Sequence, residues 1–245
     1  MRILEGQGVN KYFGGLAAVS NMAFHIDQGE IVGLIGPNGA GKTTLFNLIS
    51  AALPLSSGEI RFRGRKLNGL KPHQICKMGV SRTFQETKIF GNMPVSQNVL
   101  VGAFFGSPNR VPAEDAAREV TQALEFVGLS AMRATPVKDL TLVNQKRVEV
   151  ARALATKPEL LLLDELMAGL NPTEISESMK LVTRIRDTGI TIFMVEHVVK
   201  AIMGICERIM VLHHGEKIAD GTCREIAANK TVIDVYLGEG AHAGS

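Results

Sequence analysis

Ile31-Val32-Gly33-Leu34-Ile35-Gly36-Pro37-Asn38-Gly39-Ala40-Gly41-Lys42-Thr43-Thr44 is the stretch on which the fold turns. It opens as an apolar run of strand type and closes on Gly, four residues, then Gly-Lys-Thr. Thr44, Leu45, Leu48, Ile49 and Ala52 then recur at helical spacing until Pro54 stops them. Strand, glycine loop and helix in that order are the context a phosphate-binding loop requires. Gly36, Gly39 and Gly41 let backbone N–H groups turn inward around a polyphosphate, with Pro37, Asn38, Ala40 and Thr44 completing the loop. The helix start adds its positive dipole end, Lys42 reaches the terminal phosphates, and the Thr43 hydroxyl is offered to Mg2+. A bare glycine-rich turn is the competing reading, and the spacing argues against it.

A phosphate-loop enzyme also needs an acid at the end of a neighbouring buried strand to hold the metal. Leu160-Leu161-Leu162-Leu163 followed by Asp164-Glu165 supplies it. Asp164 is the candidate metal ligand, and Glu165 could orient or deprotonate the water that attacks the γ-phosphate. Without the glycine loop, a surface acidic pair would be the better reading.

Outward from these two motifs, Leu4 to Val9 and Met22 to Ile26 read as two short strands, and Ile60 to Arg63 alternates as a half-exposed antiparallel strand. Strand signals thin from Glu86 to Thr156, where Ala117, Val120, Ala123, Leu124 and Val127 make a helical stripe. Asn171-Pro172-Thr173-Glu174 combines an N-cap, a first-turn proline and a capping-box glutamate. The alternation of strand and helix after it predicts a parallel sheet with helices on its faces. The predicted organisation is one α/β phosphate-loop domain over 1–245. Residues 1–86 and 157–245 form its nucleotide-binding core, 87–156 a mainly helical subdomain, and 238–245 a frayed Gly/Ala-rich tail.

The chain's 245 residues carry 27 Lys plus Arg against 24 Asp plus Glu, a net charge of +3, which argues against a polyanion-seeking surface. The basic edge Arg61, Arg63, Arg65 and Lys66 therefore reads as a solvated face, and no nucleic-acid partner is expected. Glycine is abundant at 25 residues, which implies tight backbone work, while aromatics make up only 5%. Cys76, Cys206 and Cys223 form no close-spaced pair, as expected of reduced thiols in a cytoplasm. No run approaches the roughly 18 apolar residues of a membrane span, so a soluble chain is expected. His213-His214 lacks acids or cysteines at ligand spacing, so no metal is expected there.

With these residues in hand, the chain resembles the ATP-binding subunits of ABC transporters over nearly its whole length. Gly36 to Thr43 is similar to Walker A and Leu161 to Glu165 to Walker B. Gln85 in Ser81-Arg82-Thr83-Phe84-Gln85 is similar to the Q-loop glutamine, and His197 in Met194-Val195-Glu196-His197 to the switch histidine. The resemblance implies the ABC ATPase fold, a RecA-like core with an N-terminal antiparallel β layer and an inserted α-helical subdomain. It implies ATP and Mg2+ as cofactors, with Phe13 stacked on adenine, Gln85 joining Thr43 and Asp164 at the metal, and Glu165, His197 and Gln85 acting in hydrolysis. The wording Phe-Gly-Gly-Leu, Ser-Arg-Thr-Phe-Gln and Ala168-Gly169-Leu170-Asn171-Pro172 is most similar to the ATPases of branched-chain amino acid importers, and within them to the longer of two paired ATPases.

The partners implied are a second ABC ATPase subunit bound head to tail, transmembrane permease subunits contacting Gln85 to Val101, and, indirectly, a solute-binding protein. The expected location is the cytoplasmic face of the cell membrane. The chain departs from the family where its signature Leu-Ser-Gly-Gly-Gln should stand. Here Leu140-Thr141-Leu142-Val143-Asn144 precedes an intact Gln145-Lys146-Arg147-Val148-Glu149-Val150-Ala151-Arg152-Ala153-Leu154. Thr141 keeps a hydroxyl for the partner's γ-phosphate, but Val143 replaces a glycine and, preferring extended backbone, should crowd the approach. Leu166 and Val198 are smaller departures beside Glu165 and His197. The alternative carried by Val143 is a nucleotide-binding regulatory subunit of an asymmetric pair. A nucleic-acid-linked ABC ATPase would call for a second cassette or long coiled-coil arms, which this sequence lacks.

Overall fold

The computed structural model describes residues 1–85, 88–106 and 111–240, with side chains to 236. The chain divides into two compact units, Met1–Leu70 with Thr191–Ser245, and Lys71–Ile190. In chain order the first unit begins with β1 (Arg2–Phe13), β2 (Leu16–Asp27), β3 (Ile31–Ile35), α1 (Lys42–Ile49), β4 (Ser57–Phe62) and β5 (Arg65–Lys66). The second unit follows with α2 (Pro72–Lys77), β6 (Val80–Arg82), α3 (Val95–Gly106), α4 (Ala113–Val127), α5 (Leu142–Leu154), β7 (Leu160–Asp164) and α6 (Pro172–Asp187). The first unit is then completed by β8 (Thr191–Val195), α7 (Val199–Ile205), β9 (Arg208–His213), β10 (Glu216–Gly221), α8 (Cys223–Ala228) and α9 (Lys230–Gly240).

In the first unit, β1 pairs antiparallel with both β2 and β4, and β5 extends that layer. The two opening strands are longer than their sequence pattern suggests. Register shifts interrupt β1 between Gly6 and Val9 and on to Tyr12, so the apolar alternation that marks a strand is broken although pairing continues. Arg63 was expected to end the following strand, but it takes φ +49 in the turn after Phe62. Parallel pairing joins β3 to β8 and to β9. Every residue of β3 and β8 is buried, which is why they read as continuous apolar runs rather than alternating ones. Phe46 of α1 packs on Phe193 of β8 with ring centroids 5.0 Å apart, so the helix that follows the glycine loop is seated directly on the sheet.

The second unit holds a parallel β6–β7 pair and the helices α3, α4 and α5. The buried stripe of α4 is Ala116, Val120, Ala123, Leu124 and Val127. Ala117, expected on that stripe, is exposed, and Ala116 takes its place one residue earlier. On α6, the Asn171 side chain accepts from the amides of Thr173 and Glu174 while Glu174 returns a bond to the Asn171 amide. Such caps contribute about 1 kcal/mol, and this one sets where α6 begins. α9 runs to Gly240, and residues 241–245 of the expected tail lie outside the described residues.

Candidate nucleotide site

In the first unit the glycine loop is moulded against its own neighbours. Gly36 has φ +151, and a Cβ there would lie 2.1 Å from the Leu212 carbonyl oxygen. At Gly41, with φ +102, a Cβ would lie 2.3 Å from the Ala18 carbonyl oxygen. Gly215, in the turn between β9 and β10, donates its amide to Ala40 O at 3.0 Å and accepts from the Ser20 amide at 2.8 Å. The loop is thereby pinned between β2 and that turn, and only residues without a side chain fit its closest points.

Lys42 is 6% exposed, and its ammonium donates to the carbonyls of Gly36 at 2.6 Å and Pro37 at 2.8 Å. A cation curled over the loop by its own backbone can exchange those carbonyls for phosphate oxygens. Gly41 caps α1 without any side-chain bond, and the first turn carries no acid. First-turn amides have no intrahelical acceptor and sit at the positive end of the helix dipole, so an anion is their natural partner. Asn38, Gly39 and Thr43 are exposed and Thr44 half-buried. Phe13 ends β1 with its ring 46% exposed and the Lys11 ammonium 5.0 Å from its centroid. His197 follows the buried Glu196 just past β8 and is exposed.

In the second unit three expected residues come together. Asp164 ends β7 with its side chain 1% exposed and Arg82 Nη2 at 2.7 Å from Oδ2. Its amide donates to Thr83 Oγ1 at 3.1 Å. Glu165 follows at φ +50, a backbone turn that takes its side chain out of the line of the strand. There Gln85 Nε2 donates to Glu165 Oε2 at 3.1 Å, and Lys146 Nζ donates to the Glu165 carbonyl at 2.8 Å. Glu149, 2% exposed, accepts from the amides of Phe84 and Lys88. Burial pushes its carboxyl above the usual range, against the pull of Arg152, those two amides and Lys146.

Arg82, Thr83, Lys146 and Glu149 are residues that sequence reasoning passed over. Arg82 and Thr83 stand inside the very words quoted for Gln85, but no local pattern says that either reaches Asp164.

The signature residues sit differently from expectation. Thr141 is the N-cap of α5 with no side-chain capping bond, and Leu142, Val143 and Asn144 form the first helical turn. Val143 is therefore helical rather than extended, since the α5 ladder overrides its β preference. Any crowding comes from its Cβ at a helix start, not from its backbone.

Mg2+ prefers hard oxygen ligands and keeps several from water and phosphate. The Thr43 hydroxyl and Asp164 carboxylate are oxygen donors of that kind. Among the described residues no group of three or more His, Cys, Asp or Glu is placed to hold a metal without such help. Nor, among the described residues, is any helix long and apolar enough to cross a membrane.

Comparison with known proteins follows the same lines. The family described as ABC transporter matches residues 19–168, and the family described as branched-chain amino acid ATP-binding cassette transporter matches residues 216–242. The chain is 40% identical to the high-affinity branched-chain amino acid transport ATP-binding protein LivG of Salmonella typhimurium, over 97% of this chain and 98% of the relative. It is 36% identical to the corresponding protein BraF of Pseudomonas aeruginosa, over the same shares. The crystal structure of the ADP conformation of an ATP-binding cassette of an ABC transporter superposes with a TM-score of 0.89 at 27% identity, covering 97% of this chain and 99% of that one.

Proposed function

The chain belongs to the ABC transporter family of ATP-binding cassettes, and we propose that it is the ATP-hydrolysing subunit that drives an importer of branched-chain amino acids or similar small solutes. The observation that carries the solute class is near-full-length identity of 40% to a branched-chain amino acid transport ATPase, reinforced by the separate match over residues 216–242.

ATP lies with its phosphates in the loop from Gly36 to Thr43 and its adenine against Phe13. Lys42 exchanges the Gly36 and Pro37 carbonyls for terminal phosphate oxygens. Thr43, Asp164 and Gln85 are the residues that would hold Mg2+, which supplies charge neutralisation on the phosphates. Glu165, held by Gln85, acts as general base toward the attacking water, and His197 contacts the γ-phosphate.

Thr141, Val143 and Asn144 face the nucleotide of a second ATPase subunit. ATP then favours the closed pair because it makes contacts there that the open pair lacks. A permease subunit docks on the stretch from Gln85 to Val101, at the cytoplasmic face of the membrane, and a solute-binding protein delivers the solute to the permease. The regulatory-subunit reading rests on Val143 alone, and α5 forms normally around it.

The test is leucine uptake into vesicles holding the assembled transporter with ATP inside. Glu165→Gln should lower hydrolysis and uptake together by about 10²-fold or more while ATP still binds. Uptake at the unmutated rate would overturn the reading.

A further inference from the structure

Helix α5 carries two buried charged side chains one turn apart on the same face, Lys146 at 7% and Glu149 at 2% exposure. Buried charges are retained only where bonds compensate them, and these two spend their bonds on the two segments that carry Glu165 and Gln85. Lys146 Nζ donates to the Glu165 carbonyl at 2.8 Å, at the residue whose φ of +50 turns the chain out of β7. Glu149 Oε1 accepts from the amides of Phe84 and Lys88, each at 3.3 Å, so one carboxylate oxygen grips the backbone on both sides of Gln85. Gln85 in turn donates to Glu165 at 3.1 Å. The bonds close a circuit from α5 through Lys146, Glu165, Gln85 and Glu149 back to α5.

We propose that Lys146 and Glu149 are positioning residues for hydrolysis, holding the Glu165 turn and the Gln85 segment in register with each other on the helix that begins at Thr141. This rests on the roles given to Glu165 and Gln85 above. Glu149 also lies 3.6 Å from Arg152, and a pair serving stability alone would need only that contact, one turn along the same helix. The reach to amides on either side of Gln85 is what a stabilising role leaves unexplained. At 3.3 Å each amide bond is at the long end of the range, so the segment is held at two points rather than clamped at one. Because α5 is a single rigid element, displacement of its first turn, where Thr141, Val143 and Asn144 lie, is transmitted to both segments at once.

Steady-state ATP hydrolysis by the assembled transporter, with nucleotide affinity measured separately, tests this. Glu149→Ala should lower kcat about tenfold or more while affinity for nucleotide without magnesium, held by the loop from Gly36 to Thr43, changes by less than about twofold, since misplacing a catalytic group costs rate rather than binding of phosphates held elsewhere. Glu149→Gln keeps an acceptor oxygen and should recover to within about threefold of the unmutated kcat. Lys146→Met should behave as Glu149→Ala does.

If Glu149→Ala does not fold, Glu149→Asp, shorter by one methylene, is read in the same way. Unchanged kcat in these variants, while Gln85→Ala loses activity, overturns the positioning role and leaves the proposed function standing. Unchanged turnover in Gln85→Ala and Glu165→Gln as well would overturn both.

Discussion

Arg82 Nη2 lies 2.7 Å from Asp164 Oδ2 with the two side chains 7% and 1% exposed, so the residue expected to hold the metal is already matched to a buried cation from β6. The pair sets a dependence that can be measured. Removing one member of a buried ion pair leaves the other uncompensated, at a cost of about 3–5 kcal/mol. Arg82→Ala should therefore destabilise the chain by about that amount in urea unfolding, and the double variant with Asp164→Asn should lose distinctly less. Magnesium with nucleotide should raise the melting temperature of Arg82→Ala more than that of the unmutated chain, because the metal supplies the missing positive charge beside Asp164. Equal increments in both would mean that the metal does not meet this carboxylate.

The three loop glycines are not equivalent. A Cβ at Gly36 or Gly41 would stand 2.1 or 2.3 Å from a backbone carbonyl oxygen, whereas one at Gly39 would meet nothing within 4 Å. Gly39→Ala pays only for its φ of +78, a cost of about 1–2 kcal/mol. Gly36→Ala and Gly41→Ala must also displace β9 or β2 backbone, so both should unfold at clearly lower denaturant than Gly39→Ala. All three falling together would contradict the packing.

Phe13 offers a separable readout of the base, because its ring is 46% exposed and contributes little to the core. Stacking of a base on an aromatic side chain contributes about 1–3 kcal/mol. Phe13→Ala should weaken ATP binding roughly five- to 150-fold by titration calorimetry, with the melting temperature nearly unchanged. Affinity for inorganic triphosphate, which has no base to stack, should not move.

What could be read from the sequence was whatever is written locally. The glycine loop, the acid pair after four leucines and the cap at Asn171 each occupy consecutive residues, and each stands where its spacing implies. The β1–β2 hairpin runs beyond its apolar alternation because bulges break the pattern that marks a strand. Val143 has the extended preference of a branched side chain, but it lies in the first turn of α5, whose ladder holds it helical. Arg82, Lys146 and Glu149 were invisible for a different reason. Charged residues are ordinarily at the surface, and the partner of Arg82 is 82 positions away along the chain and that of Lys146 19. Only the packing of β6, β7 and α5 brings such residues to Asp164 and Glu165, and no window of the sequence carries that packing.

Cys206 contributes to an alkaline limb of stability, in the same direction as the thiols of Cys76 and Cys223, which burial also raises. It is 7% exposed, and burial, chiefly, pushes its thiol far above the ordinary value of 9.0, with smaller contributions from Cys223, Glu207 and Glu196. Above about pH 9 the unfolded chain loses this proton while the folded chain keeps it, so the unfolded state binds fewer protons and stability falls as pH rises. The effect is absent below the unfolded thiol's range and grows upward from it. Cys206→Ala should flatten the decline of melting temperature between about pH 9 and 10.5 relative to the unmutated chain, although it lowers the value at neutral pH by opening a small cavity beside Gly33. Thiol labelling gives the independent measure: at pH 8 the native chain should modify Cys206 far more slowly than the urea-unfolded chain does. Equal labelling rates in the two states would mean that the thiol is not buried as described.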